Sequence, residues 1–121
     1  MPRPPQTSPL VVTQFESVLL GRFAQPIILS GVVAEAVAHH LDQLTDAGPT
    51  RIVLNCANVQ SLTSLIIGKL LSLDKKVSAA GGTLALCEVR PEVREIFDVV
   101  GLLKILRFYP TEEAARDDLA G

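Results

Sequence analysis

Two adjacent hydroxyls, Thr63 and Ser64, stand where a small chemical change would alter a surface most. They follow a short β-branched run, residues 51–54, that reads as a buried strand, and they precede a helical pattern running to about residue 80. A hydroxyl at the start of a helix can cap it by accepting a backbone N–H bond. A phosphate on the same hydroxyl would set negative charge against the positive end of the helix dipole. Such a switch needs an exposed hydroxyl, an ordered helix behind it and partners that sense charge. Taken locally, the capping reading is the stronger one, because Ser and Thr begin many helices.

The following residues extend the site. Leu65 shares a helical stripe with Lys69, Ser72 and Lys76, which is polar, so Leu65 is expected to be partly exposed and to serve as a docking contact. Gly68 lies one turn beyond Ser64, and a mid-helix glycine costs about 1 kcal/mol against alanine. Close approach of another backbone, from the domain or from a partner, would offset that cost.

Other chemistry is missing from the sequence. No glycine-rich phosphate loop follows a strand, since Gly81-Gly82 follows a helix, and no GxSxG elbow occurs. His39 and His40 stand in a helix without a cysteine or an acid in a ligand pattern, one expected to face solvent and the other the core edge. Cys56 and Cys87 end strand-like runs and read as small buried hydrophobes in a reducing compartment. Glu112, Glu113, Asp117 and Asp118 read as a solvated helix face. No catalytic residue, cofactor site or metal site is assigned.

The elements that must hold this site follow from periodicity. Leu10–Phe15 and Val18–Phe23 read as a hairpin or a kinked strand around Glu16-Ser17. Ser30 is the expected N-cap of a helix over 30–46 with Val33, Val37, Leu41 and Leu44 inward, ended by Gly48-Pro49. Strand 51–55 leads through a loop, 56–62, to a helix over 63–80 with Ile66, Leu70, Leu73 and Val77 inward and a left-handed glycine stop. A strand over 83–87 follows. Pro91 opens a third helix with Val93, Ile96, Phe97 and Val100 inward. A short strand within 103–108 and a terminal helix to about Leu119 complete the chain. This alternation predicts an α/β fold, a mixed, mostly parallel sheet flanked by about four helices, with the first strands antiparallel at an edge. Functional sites in such sheets gather at the carboxyl ends of the parallel strands, where the 56–62 loop lies.

With 121 residues and 48% hydrophobic content, the chain is expected to form one domain over 10–121 behind a flexible Pro-rich leader, 1–9. The net charge of −2 argues against nucleic-acid binding. No apolar run approaches the roughly 18 residues of a membrane span, and the N-terminus lacks the apolar region of a signal peptide, so a cytoplasmic location is expected.

In order and spacing, several segments resemble the STAS domain of sulfate transporters and anti-sigma factor antagonists. They are Arg51-Ile-Val-Leu-Asn-Cys-Ala-Asn-Val59, Leu62-Thr-Ser-Leu-Ile-Ile-Gly-Lys-Leu70, Ala79-Ala-Gly-Gly-Thr-Leu-Ala-Leu86, Arg90-Pro-Glu-Val-Arg-Glu-Ile-Phe97 and Gly101-Leu102. The resemblance implies an antagonist-type STAS fold that binds an anti-sigma factor, often a serine kinase. The family's phosphorylated serine falls on Ser64, and a phosphatase reverses the mark. Partner contact would centre on Thr63, Ser64, Leu65, Gly68 and Lys69. The chain departs from the pattern at Thr63 and Asn55, where the family commonly has aspartate, which makes Thr63 an alternative acceptor. The resemblance also admits a cytoplasmic subunit of a lipid-transporting ABC system or a subunit of a stress-signalling scaffold. It leaves a homodimer open.

Overall fold

A computed structural model describes residues 8–46 and 50–120. The leader (apart from Ser8 and Pro9) and the Gly48-Pro49 helix stop lie outside the described residues. Strands β1 (Leu10–Phe15) and β2 (Val18–Phe23) form the expected antiparallel hairpin, turned at Glu16 with φ +53°. Strands β4 (Arg51–Asn55), β6 (Thr83–Cys87) and β7 (Arg107–Tyr109) continue the sheet in parallel, in the order β1-β2-β4-β6-β7.

Two strands went unread in the sequence: β3 (Ile27–Leu29) and β5 (Val59–Leu62). They pair with each other in parallel as a separate two-stranded sheet, where loops were expected. Both are too short to display a period. The helices are α1 (Gly31–Leu44), α2 (Ser64–Ala79), α3 (Pro91–Val99) and α4 (Glu112–Ala120).

Alternation along the central strands sorts side chains between two cores. Ile52, Leu54, Leu84 and Leu86 point into the larger core, shared with Ala34, Val37 and Leu41 of α1, Ile66, Leu70 and Val77 of α2, and Val93 and Phe97 of α3. Val18, Leu20, Val53, Ala85 and Cys87 point to the other face, covered by Ala115 and Leu119 of α4. Three helices thus lie on one face and one on the other.

Some inward assignments shift. Val33 is exposed, and Ala34 takes its place in the core. Val100 is exposed because α3 ends at Val99, before the stripe reaches it. α1 stops at Leu44, two residues early, where Thr45 caps it through backbone and hydroxyl bonds to the Asp42 carbonyl. The left-handed stop of α2 is as expected. Gly81 has φ +87°, and the Gly81 and Gly82 N–H groups donate to the Ser78 and Val77 carbonyls, the Schellman pattern. Gly82 has a further reason to be glycine: a Cβ there would lie 2.1 Å from the Thr50 carbonyl oxygen.

Candidate functional site

The path from β4 to α2 is fastened residue by residue. Beyond Asn55, the Cys56 N–H donates to the Cys87 carbonyl at 2.9 Å, keeping the chain beside β6. The Ala57 N–H donates to Asn55 Oδ1 at 2.9 Å, so the Asn55 side chain turns the chain out of the sheet. Asn58 donates from its side chain to the Phe23 carbonyl and accepts from the Ile27 N–H, binding the turn to the end of β2 and the start of β3. β5 then runs beside β3, and the Thr63 N–H donates to the Leu29 carbonyl at 3.1 Å. The starts of α1 and α2 therefore lie side by side at the end of this small sheet.

Thr63 is the N-cap residue of α2 by backbone geometry, yet its hydroxyl does not cap. It donates to the Leu29 carbonyl at 3.4 Å. The capping reading of the hydroxyl is thus corrected: the oxygen is turned toward β3, where a second bond reinforces the N–H. Ser30 likewise precedes α1 without a side-chain cap bond. Ser64 is the first residue of α2, exposed, and its hydroxyl has no hydrogen-bond partner among the described residues. The first bond of the helix runs from the Ile67 N–H to the Thr63 carbonyl, which leaves the N–H groups of the opening turn facing outward without a side-chain acceptor.

Leu65 is 40% exposed. Lys69, Ser72 and Lys76 line a groove of about 420 Å³ between α2 and α1, opposite Glu35, His39 and Asp42. Lys76 closes its far end through Asp42 at 2.8 Å and Asp46 at 3.2 Å; the bond to Asp42 raises the lysine's pKa and lowers the aspartate's. Gly68 and Lys69 are exposed, and a Cβ on Gly68 would meet nothing within 4 Å. Ser64, Leu65, Gly68 and Lys69 thus share the first two turns of α2, and Thr63 directly precedes them.

A polar network escaped the sequence reading, and it corrects the solvated-face expectation for Glu112, which is half-buried within it. Asn55 donates from its amide to Glu88 and to Glu112, each at 3.2 Å. Arg22 holds Glu112 with two bonds, the Nε one at 2.7 Å, and this pairing keeps the Glu112 pKa below its usual value. Glu88, at φ +52°, accepts the Glu112 N–H at 3.0 Å and so caps α4 from another strand end. One amide therefore joins the turn leading to Ser64 to the start of α4. An aspartate at position 55 would add a third carboxylate beside Glu88 and Glu112, which gives Asn55 a local reason. The only sequence signal was a polar residue ending a central strand.

The model of the STAS domain matches residues 10–115. The chain belongs to the STAS domain family. Among relatives, this STAS domain is 34% identical over 91 residues to a Bordetella bronchiseptica protein, BtrV, named as a candidate anti-sigma factor antagonist; the match covers 72% of this chain and 78% of that protein. Among solved structures, an anti-sigma factor antagonist from Mycobacterium paratuberculosis superposes with TM-score 0.81 at 20% identity, over 93% of both chains. The phosphorylated form of the Bacillus cell fate determinant SpoIIAA superposes with TM-score 0.69 at 20% identity, over 90% of this STAS domain and 97% of that chain. At such identities the superpositions establish the fold. No helix among the described residues is long and apolar enough to cross a membrane.

Proposed function

We propose that this chain is an anti-sigma factor antagonist: a cytoplasmic regulatory binding protein, not an enzyme, that controls transcription through phosphorylation of Ser64. In its unmodified form it binds an anti-sigma factor acting as a serine kinase, and a sigma factor is released. Phosphorylation of Ser64 by that kinase ends the contact, and a phosphatase restores it. The observation that carries this reading is the unpartnered, exposed hydroxyl of Ser64 on the first residue of α2. The Thr63 hydroxyl is engaged with Leu29, which favours Ser64 as the acceptor. The names of the relatives and the phosphorylated neighbour support the same reading.

A phosphate adds about −1.5 to −2 charges at pH 7. Desolvating that charge against a closely packed partner is costly unless a cation meets it. The test incubates the purified chain with each anti-sigma factor kinase encoded in the source genome, with ATP, followed by peptide mass spectrometry and calorimetry. The expected result is phosphate on Ser64, binding retained by Ser64→Ala, and binding weakened at least about tenfold by Ser64→Asp with the fold intact. Modification confined to other residues, or no binding to any of these kinases, overturns the reading.

A further inference from the structure

Resting on the antagonist reading above, we infer that the partner surface meeting α2 is acidic, and that phosphate on Ser64 acts by reversing the sign of the face presented to it. Ser64, Gly68 and Lys75 follow one outward line of α2, and Leu65 and Lys69 lie beside it. Lys69 and Lys75 are exposed and form no ion pair or hydrogen bond among the described residues, whereas Lys76 is already met by Asp42 and Asp46. The only acid in α2, Asp74, is half-buried within the field of Arg107. The outward face therefore joins Lys75, and Lys69 at the rim of the groove within the field of Asp42, to the positive end of the helix dipole, around the half-exposed Leu65. Carboxylates on the partner would complement it, with Leu65 as the apolar anchor.

Gly68 adds an independent indication of close packing. Its φ lies outside the left-handed region, and an added Cβ would meet open space. Among the described residues no contact accounts for a residue so unfavourable in a helix. A partner seated against the bare backbone does.

A phosphate on Ser64 sits one turn from Gly68 and sets about two negative charges at the head of this face. Partner carboxylates that were attracted are then repelled, so the switch acts partly through space as well as by desolvation.

The test is calorimetry against the kinase that phosphorylates Ser64 in the preceding experiment, at low and at high salt. Lys69→Glu and Lys75→Glu should each weaken binding several-fold, and together by about tenfold or more. Glu113→Lys, an exposed charge reversal on α4 across the sheet, should change it little. Wild-type affinity should fall with added salt, and the double Lys69→Gln/Lys75→Gln variant should flatten that dependence. Gly68→Ala should raise resistance to urea yet weaken binding. If Ser64→Asp weakens binding while both lysine reversals leave it unchanged, the antagonist function stands and the acidic-partner inference falls. Equal salt dependence in wild type and the double glutamine variant overturns it as well.

Discussion

At the scale of single residues, Asn55 carries the most consequence for the least volume. Its amide donates to two carboxylates and its carbonyl oxygen turns the chain toward β5. Asn55→Asp keeps the turn acceptor but removes both donations and adds a third negative charge. We expect a loss of about 1–2 kcal/mol at pH 7, read from urea unfolding. The Arg22–Glu112 pair makes a pH-dependent prediction. Arg22 holds the Glu112 pKa below its ordinary 4.5, so the pair stabilises the fold above that value and the contribution is lost as pH falls through the depressed one. Arg22→Gln should therefore lower the unfolding midpoint at pH 7, modestly because Arg22 is half exposed, and the variant and wild-type curves should converge as pH drops well below 4.5. A gap that persists in acid would place the role of Arg22 in packing.

Among elements, α2 is fixed at its far end by contact with the chain that follows α1. Gly82→Ala forces a methyl onto the Thr50 carbonyl and should cost about 3 kcal/mol, the upper range for overpacking, or prevent folding. An unfolding midpoint equal to wild type would refute that contact. The helices and long strands were legible because their apolar spacing runs over enough residues to display a period. β3 and β5 were not, having three and four residues, with Gln60 and Ser61 breaking the apolar run. Their pairing is settled by packing beneath α1 and α3. Ser64 was placed correctly from local sequence alone, at the head of α2. The orientation of the Thr63 hydroxyl depended on Leu29, 34 residues away, and the Asn55 network on partners 33 and 57 residues away. Neither distance leaves a local trace.

Over the whole molecule, the division of helices three to one makes the sheet two-sided in energy as well as in shape. The α4 face rests on few residues, chiefly Ala115 and Leu119, against Val18, Val53, Ala85 and Cys87. Leu119→Ala should cost about 3 kcal/mol, as for other buried leucines, and should loosen that face before the other. The two thiols make this measurable. Cys87 belongs to the α4 face and Cys56 to the three-helix face, and burial pushes both thiols up, Cys87 to about 12. Neither reacts while its cover holds. Timed alkylation with peptide mass spectrometry should then find Cys87 labelled faster in Leu119→Ala and Cys56 nearly unchanged; equal acceleration at both would mean the faces open together. The sheet thus carries a separate chemical clock on each side, one timing the departure of α4 and the other timing any breathing of the layer that presents Ser64.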